Sequence, residues 1–215
     1  MPKMPMAVKH LPADSKTTPR WAHMYQKVLD AAATAFAEKG YEGSSIRDIA
    51  DLLQVRSASL YYYVPSKETA LFAVCEAGVT SFIASLTKAV ADSASASEKV
   101  RAAIHVQLSP LRERPYADYI RVFLRHRHEL PDNERRRIVA LSRQYQKLVQ
   151  DIFATGVASG EFRPTLNAEY SAFALLGLCN SVISAHVWPR SADIDGIIDE
   201  YTAIFLVGVS NPSAG

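Results

Sequence analysis

Three consecutive tyrosines, Tyr61-Tyr62-Tyr63, lie near the end of the stretch SSIRDIADLLQVRSASLYYYVPSK at residues 44–67. They follow a run of small residues, Ser57-Ala58-Ser59. Neighbours on a helix point about 100° apart, so one core cannot take all three rings. A tyrosine offers a flat apolar ring and a phenol that can donate to a phosphate oxygen. Small residues allow a backbone to come close to base edges. Arg47, in the preceding segment, can reach a phosphate or pair in bidentate fashion with a guanine. Lys67 and the backbone N–H groups behind Ser66 suit an anion at a helix start. Together these types point to recognition of double-stranded DNA rather than to bond-making. The chain contains no nucleophile elbow, phosphate loop or paired-acid motif. His126 and His128 are two residues apart and diverge on a helix, so they cannot share an ion. No enzymatic activity, metal or cofactor is expected.

Presenting such residues outward needs a scaffold, and the apolar spacing supplies one. Tyr25, Val28, Leu29, Ala32 and Phe36 recur at helical steps, and Gly40 followed by Tyr41 reads as a left-handed stop with an apolar residue folding back. Ser45-x-x-Asp48 resembles a capping box that opens a second helix, with Ile46, Ile49, Ala50 and Leu53 as its buried face. Gln54 to Arg56 interrupt the pattern, and Ser57 reads as the N-cap of a third helix running to Tyr63. In that helix Leu60 and Val64 face inward while Ser57, Ala58, Ser59, Tyr61 and Tyr62 face outward, with Tyr63 packing partly beneath. Ser66 then caps a fourth helix whose first turn carries Glu68. Helix, short turn and short helix in succession form the helix-turn-helix pattern.

Further helices are expected over about 67–93, 98–113, 116–129, 132–159, 167–188 and 194–208, so the fold class is all-α. No segment alternates with period two for long enough to be a strand. The first twenty residues hold four of the eleven prolines and no apolar periodicity, and read as a mobile tail. Residues 1–67 carry nine Lys/Arg against six Asp/Glu, whereas residues 68–215 carry fifteen against sixteen, so the positive balance lies beside the tyrosines. Two distant cysteines, Cys75 and Cys179, make no disulfide framework. The opening segment is not a signal peptide, and the unbroken apolar run Ala172–Cys179 is far shorter than the ~18 residues of a membrane span. A cytoplasmic location with no membrane partner is expected.

On the stretches LDAAATAFAEKGYEGSSIRDIA and LYYYVPSKETAL, residues 21–75 resemble the N-terminal DNA-binding domain of the TetR family of transcriptional repressors. The resemblance implies a three-helix DNA-binding domain over 21–66 and a helical effector-binding and dimerisation domain over 67–210. It assigns DNA contacts to Ser45, Arg47, Ser57, Ala58, Ser59, Tyr61, Tyr62 and Lys67. Two positions depart from the family pattern. Gln54 stands where glycine is usual, at a cost of about 1 kcal/mol if the backbone is left-handed there. Val64 replaces the usual phenylalanine.

The remaining two-thirds would then bind a small effector and pair two copies. Residues 172–187 are apolar nearly all round and the last helix carries Ile194, Ile197, Ile198, Tyr201, Phe205 and Gly208, which suits either a homodimer seam or an internal core. Two recognition helices would reach successive major grooves of a palindromic operator. Arg121, Arg125, Arg127, Arg135, Arg136, Arg137 and Arg143 form either a solvated face or a phosphate-binding mouth over an apolar pocket. Residues 125–164 resemble the C-terminal domains of TetR-type regulators that respond to acyl-CoA. On that reading Arg127, Arg136, Arg143, Asn180, Ser184 and Trp188 line the effector site. The function expected is a ligand-released repressor. The alternatives are a CoA-ester-binding enzyme or carrier with a vestigial DNA-binding domain, and an effector-free regulator.

Overall fold

A computed structural model describes residues 18–184 and 193–211. Among these, the regular elements are helices: α1 (Pro19–Lys39), α2 (Ile46–Leu52), α3 (Ser57–Leu60), α4 (Lys67–Ala91), α5 (Ala96–Leu108), α6 (Tyr116–His126), α7 (Asp132–Ala158), α8 (Ala168–Ser184) and α9 (Ile194–Val209). Short 3₁₀ turns follow α5 at Ser109–Arg112 and α6 at Arg127–Glu129. An isolated antiparallel bridge joins Phe162 to Ser210. The all-α expectation holds. Expected residues 185–188, with Trp188 among them, lie outside the described residues, as does the tail over 1–17.

The chain divides into two compact units, Met1–Ser81 with Glu113–Leu141, and Phe82–Arg112 with Ser142–Gly215. α4 runs unbroken for 25 residues and spans the division between the units. α4 is long and apolar enough to cross a bilayer, which a scan for unbroken apolar runs does not detect. Its Ala70, Leu71, Val74, Cys75, Val79 and Leu86 are instead buried in protein.

In the first unit, α1 begins two residues before Trp21, because Thr18 accepts a hydrogen bond from the Trp21 N–H and Pro19 presets the backbone of the first turn. Val28, Leu29, Ala32 and Phe36 are buried as the spacing predicts, and Tyr25 stacks on Trp21. Gly40 has φ 74° but ψ 164°, so the stop has positive φ without being left-handed helical. Tyr41 does fold back, its ring edge-on to Phe36. Polar pairs join α1 to α6 and to the turn before it. The Tyr119 hydroxyl donates to Asp30, the Thr34 hydroxyl to Asp118, and Arg114 to Glu38. Asp118 is fully buried between Arg114 and Arg121.

The second unit has its own core, built on Val100, Ile104, Leu108, Val149, Ile152, Phe153, Phe162, Leu175, Cys179 and Ile198. Gly156 permits the approach of Phe162: a Cβ there would lie 2.2 Å from the ring. α5 starts at Ala96 rather than 98, because Ser95 and Glu98 form a capping box and the Glu161 carboxylate accepts from the Ala96 and Ser97 N–H groups. Burial pushes the thiols of Cys75 and Cys179 up to about 12 in their separate units, which leaves both unreactive.

Candidate nucleic-acid interface and effector site

The recognition segment is built on a thin clamp. Leu60 and Val64 are both fully buried, while Tyr61 is 53% and Tyr62 71% exposed. Tyr63 is half-buried, its ring 5.5 Å from Trp21 and edge-on to Tyr62 at 5.2 Å. The three phenols therefore separate as the spacing predicts, two outward and one toward the scaffold. α3 itself ends at Leu60, and Tyr61–Tyr63 form a turn in which the Tyr63 and Val64 N–H groups both donate to the Leu60 carbonyl. The N-cap is Arg56, not Ser57, and Arg56 makes no side-chain cap bond. Ala58 and Ser59 are exposed and Ser57 is half-buried.

The turn before α3 explains this presentation. Gln54 has φ 55°, the backbone that glycine adopts freely and that a side chain disfavours. The reversal leaves Val55 half-buried and Arg56 exposed.

Two of the predicted contact residues have structural duties. Ser45 caps α2: its hydroxyl accepts from the Asp48 N–H and donates to the Asp48 carboxylate. Lys39 also pairs with Asp48, and these bonds hold that carboxyl down at about 2. Lys67 donates to the Tyr41 and Ser44 carbonyls at 3.0 and 3.1 Å and lies 4.3 Å over the Tyr41 ring. It thus fastens the start of α4 to the turn after α1, with one N–H left for an anion. The Ser66 cap is formed, its hydroxyl accepting from the Thr69 N–H. Arg47 is 84% exposed, with Asp51 at 4.0 Å. Arg56 is an exposed cation at the mouth of this surface that the apolar pattern does not single out, because it lies in the interruption between helices.

The described residues predicted to bind the effector are divided between the two units. Arg127 and Arg136 belong to the first unit, Arg143 and Asn180 to the second. Arg127 lies over the Phe123 ring at 4.9 Å, Arg136 bonds Asn133, and Arg143 is exposed. Arg121, Arg135 and Arg137 pair with Asp118, Asp132 and Glu76. Three of the seven arginines in the stretch therefore stand against an acid, within three residues or on α4. Ser184 closes α8. Asn180 is the informative member. Its Oδ1 accepts from Gln107 Nε2 at 3.2 Å, and Gln107 Oε1 accepts from the Tyr145 hydroxyl at 2.8 Å. This chain, buried at Gln107 and Tyr145 and half-buried at Asn180, crosses α5, α7 and α8, and the Phe82 ring lies 5.8 Å from Tyr145. Gln107 and Tyr145 escape sequence reading because they stand 73 and 35 residues from Asn180 and share no local motif.

Comparison with known proteins finds two family matches along the chain. Residues 28–74 match the family described as bacterial regulatory proteins, tetR family, and residues 93–209 match the tetracyclin repressor-like C-terminal domain. The HTH-type transcriptional repressor KstR2 of Rhodococcus jostii is 26% identical over 190 residues, covering 86% of this chain and 91% of the relative. The fatty acid metabolism regulator protein of Bacillus subtilis is 24% identical over 190 residues, covering 87% and 96%. The crystal structure of AibR in complex with isovaleryl coenzyme A and operator DNA is similar with a TM-score of 0.73, at 25% identity, covering 84% of this chain and 96% of that one.

Proposed function

The chain belongs to the TetR family of bacterial regulatory proteins, and on that premise we propose that it is a homodimeric transcriptional repressor released from a palindromic operator by an acyl-CoA-type effector. The single observation that carries the DNA-binding reading is the contrast within residues 60–64. Two fully buried aliphatic side chains hold the segment from behind, and two tyrosines in direct sequence contact with them stay in solvent. Adjacent exposed aromatics have no benefit to an isolated chain. Facing a duplex they supply ring contacts and phenol donors.

Arg47, Ser57, Ala58, Ser59, Tyr61 and Tyr62 form the contact surface in this reading, Lys67 gives its remaining N–H to a phosphate, and Ser45 acts through the α2 cap. Dimerisation is supported by apolar stripes left open in the second unit: Tyr170 and Phe173 on α8, and Ile204 and Val207 on α9. The effector reading draws on AibR, bound to isovaleryl coenzyme A, and on the hydrogen-bonded chain of Tyr145, Gln107 and Asn180, whose amide and phenol groups suit a thioester carbonyl. The protein acts by binding rather than catalysis, in the cytoplasm where its operator lies.

The test is a gel shift on the protein's own upstream DNA at two salt concentrations, repeated with a panel of acyl-CoAs. Salt-sensitive binding that an acyl-CoA abolishes is the expected result. Binding that no acyl-CoA releases would remove the effector assignment, and product formed from an acyl-CoA without any DNA binding would overturn the whole reading.

A further inference from the structure

We propose that Arg56 is a base-reading residue that fixes a G·C pair in each half-site of the operator. The proposal rests on the DNA-binding reading above and names the base pair that is read.

Four cations lie between residues 39 and 67: Lys39, Arg47, Arg56 and Lys67. Three have partners. Lys39 pairs with Asp48, Arg47 has Asp51 at 4.0 Å, and Lys67 donates to two backbone carbonyls. Among the described residues no hydrogen bond or ion pair engages the Arg56 side chain, while its carbonyl accepts from the Ser59 N–H. Its position makes that freedom informative. The residue before a helix is where serine, threonine, aspartate or asparagine normally caps. Here an arginine occupies it with an extended backbone, φ −73° and ψ 138°, and leaves the cap unmade. The side chain is exposed, two residues after the positive φ at Gln54.

The chemistry then selects the ligand. The N-terminal residues of a recognition helix meet base edges, whereas its far end runs out over the backbone. Ser57, Ala58 and Ser59 bring two hydroxyls and a methyl to that end. None of these can present two parallel N–H groups. A guanine edge offers two acceptors, O6 and N7, and the planar fork of Arg56 matches them. Arg56 is the only bidentate donor between Gln54 and Tyr63. It is therefore the residue in the recognition segment able to separate G·C from the other pairs.

The experiment selects preferred sites from a randomised duplex library with the full chain, as wild type, Arg56→Ala and Arg56→Lys, and then measures affinity by fluorescence anisotropy. A matched non-specific duplex is measured at two salt concentrations. The wild type is expected to select one G·C pair per half-site that becomes degenerate in Arg56→Ala. Affinity for the selected site should fall about 5- to 150-fold per half-site. Arg56→Lys should keep the salt slope of the wild type with a weakened preference for the same base pair, because an ammonium lacks the planar fork. Unchanged preferences with a uniform loss on all duplexes would make Arg56 a phosphate contact and overturn the proposal. A wild type that selects no sequence would instead overturn the DNA-binding reading itself. Because Arg56 is exposed, matching thermal melts establish that the variants are folded.

Discussion

Tyr62 and Tyr145 carry the same side chain in opposite circumstances. Tyr62, in the first unit, is 71% exposed, and its only ring neighbour among the described residues is the edge of Tyr63. Tyr145, in the second unit, is buried, donates to Gln107, and has its phenol pushed up by burial. The difference shows two ways a polar group can be held ready. A surface that meets a polyanion keeps its donors unpaired and places the apolar support underneath. An interior that meets a small ligand must pair its polar groups with one another until the ligand arrives, because an unpaired buried group costs about 1–3 kcal/mol.

The largest effect should come from removing the support of the exposed surface. Leu60→Ala deletes a fully buried side chain that nothing nearby can replace, at a cost of about 2–5 kcal/mol. Chemical denaturation is expected to show that loss, and operator binding should go with it. If the variant unfolds at the same midpoint as wild type, the clamp does not hold α3. Next comes the interior chain. Tyr145→Phe leaves Gln107 Oε1 without its donor and should cost about 1–3 kcal/mol. DNA binding should persist while the acyl-CoA concentration needed for release changes. An unaltered release profile would dissociate this chain of bonds from the effector.

The two regions also differ in how far the sequence reveals them. In the recognition segment every relevant residue lies within about twenty positions, so helical spacing alone separates Leu60 and Val64 from Tyr61 and Tyr62. Even there the spacing misassigns detail. It runs α3 on to Tyr63, and it places the N-cap on Ser57, because serine is the better cap and the chain uses an arginine instead. It passes over Arg56 for the same reason. In the second unit only Asn180 stands out, as a polar residue on an apolar helix. Its partners Gln107 and Tyr145 come from two other helices and follow ordinary polar and aromatic patterns. In the arginine-rich stretch, counting charges does not reveal that Asp118 and Glu76 stand against Arg121 and Arg137.

A smaller effect on stability separates reading from folding. Tyr62→Ala removes an exposed ring, so the melting midpoint should move by less than the equivalent of about 0.5 kcal/mol. Affinity for the operator should nevertheless drop, with the same fractional loss for Tyr62→Phe only if the phenol, rather than the ring, makes the contact. Anisotropy titrations of both variants decide between ring and hydroxyl. No loss in either would remove Tyr62 from the interface.

Glu76 is the exception to the contrast, a buried acid inside the unit whose chemistry otherwise faces out. Burial pushes its carboxyl up to about 7, although Arg137 Nε stands 2.6 Å away, and Tyr25 is close enough to feel its charge. The ordinary value is 4.5, so between pH 4.5 and about 7 the folded chain holds a proton that the unfolded chain has released. The unfolded state then binds fewer protons, and stability must fall as pH rises through that window, levelling off above it. The carboxyls of Asp48, Glu68 and Glu161 are held below their ordinary values, so their contributions are complete above the carboxylate range and are lost only at lower pH. Their titrations therefore do not mask the window. Denaturation midpoints of wild type and Glu76→Gln from pH 4.5 to 8 should diverge in slope, the glutamine variant lacking the fall contributed by Glu76. Parallel profiles would mean that the Arg137 guanidinium outweighs burial and keeps Glu76 ionised throughout, which would make this pair an ordinary salt bridge.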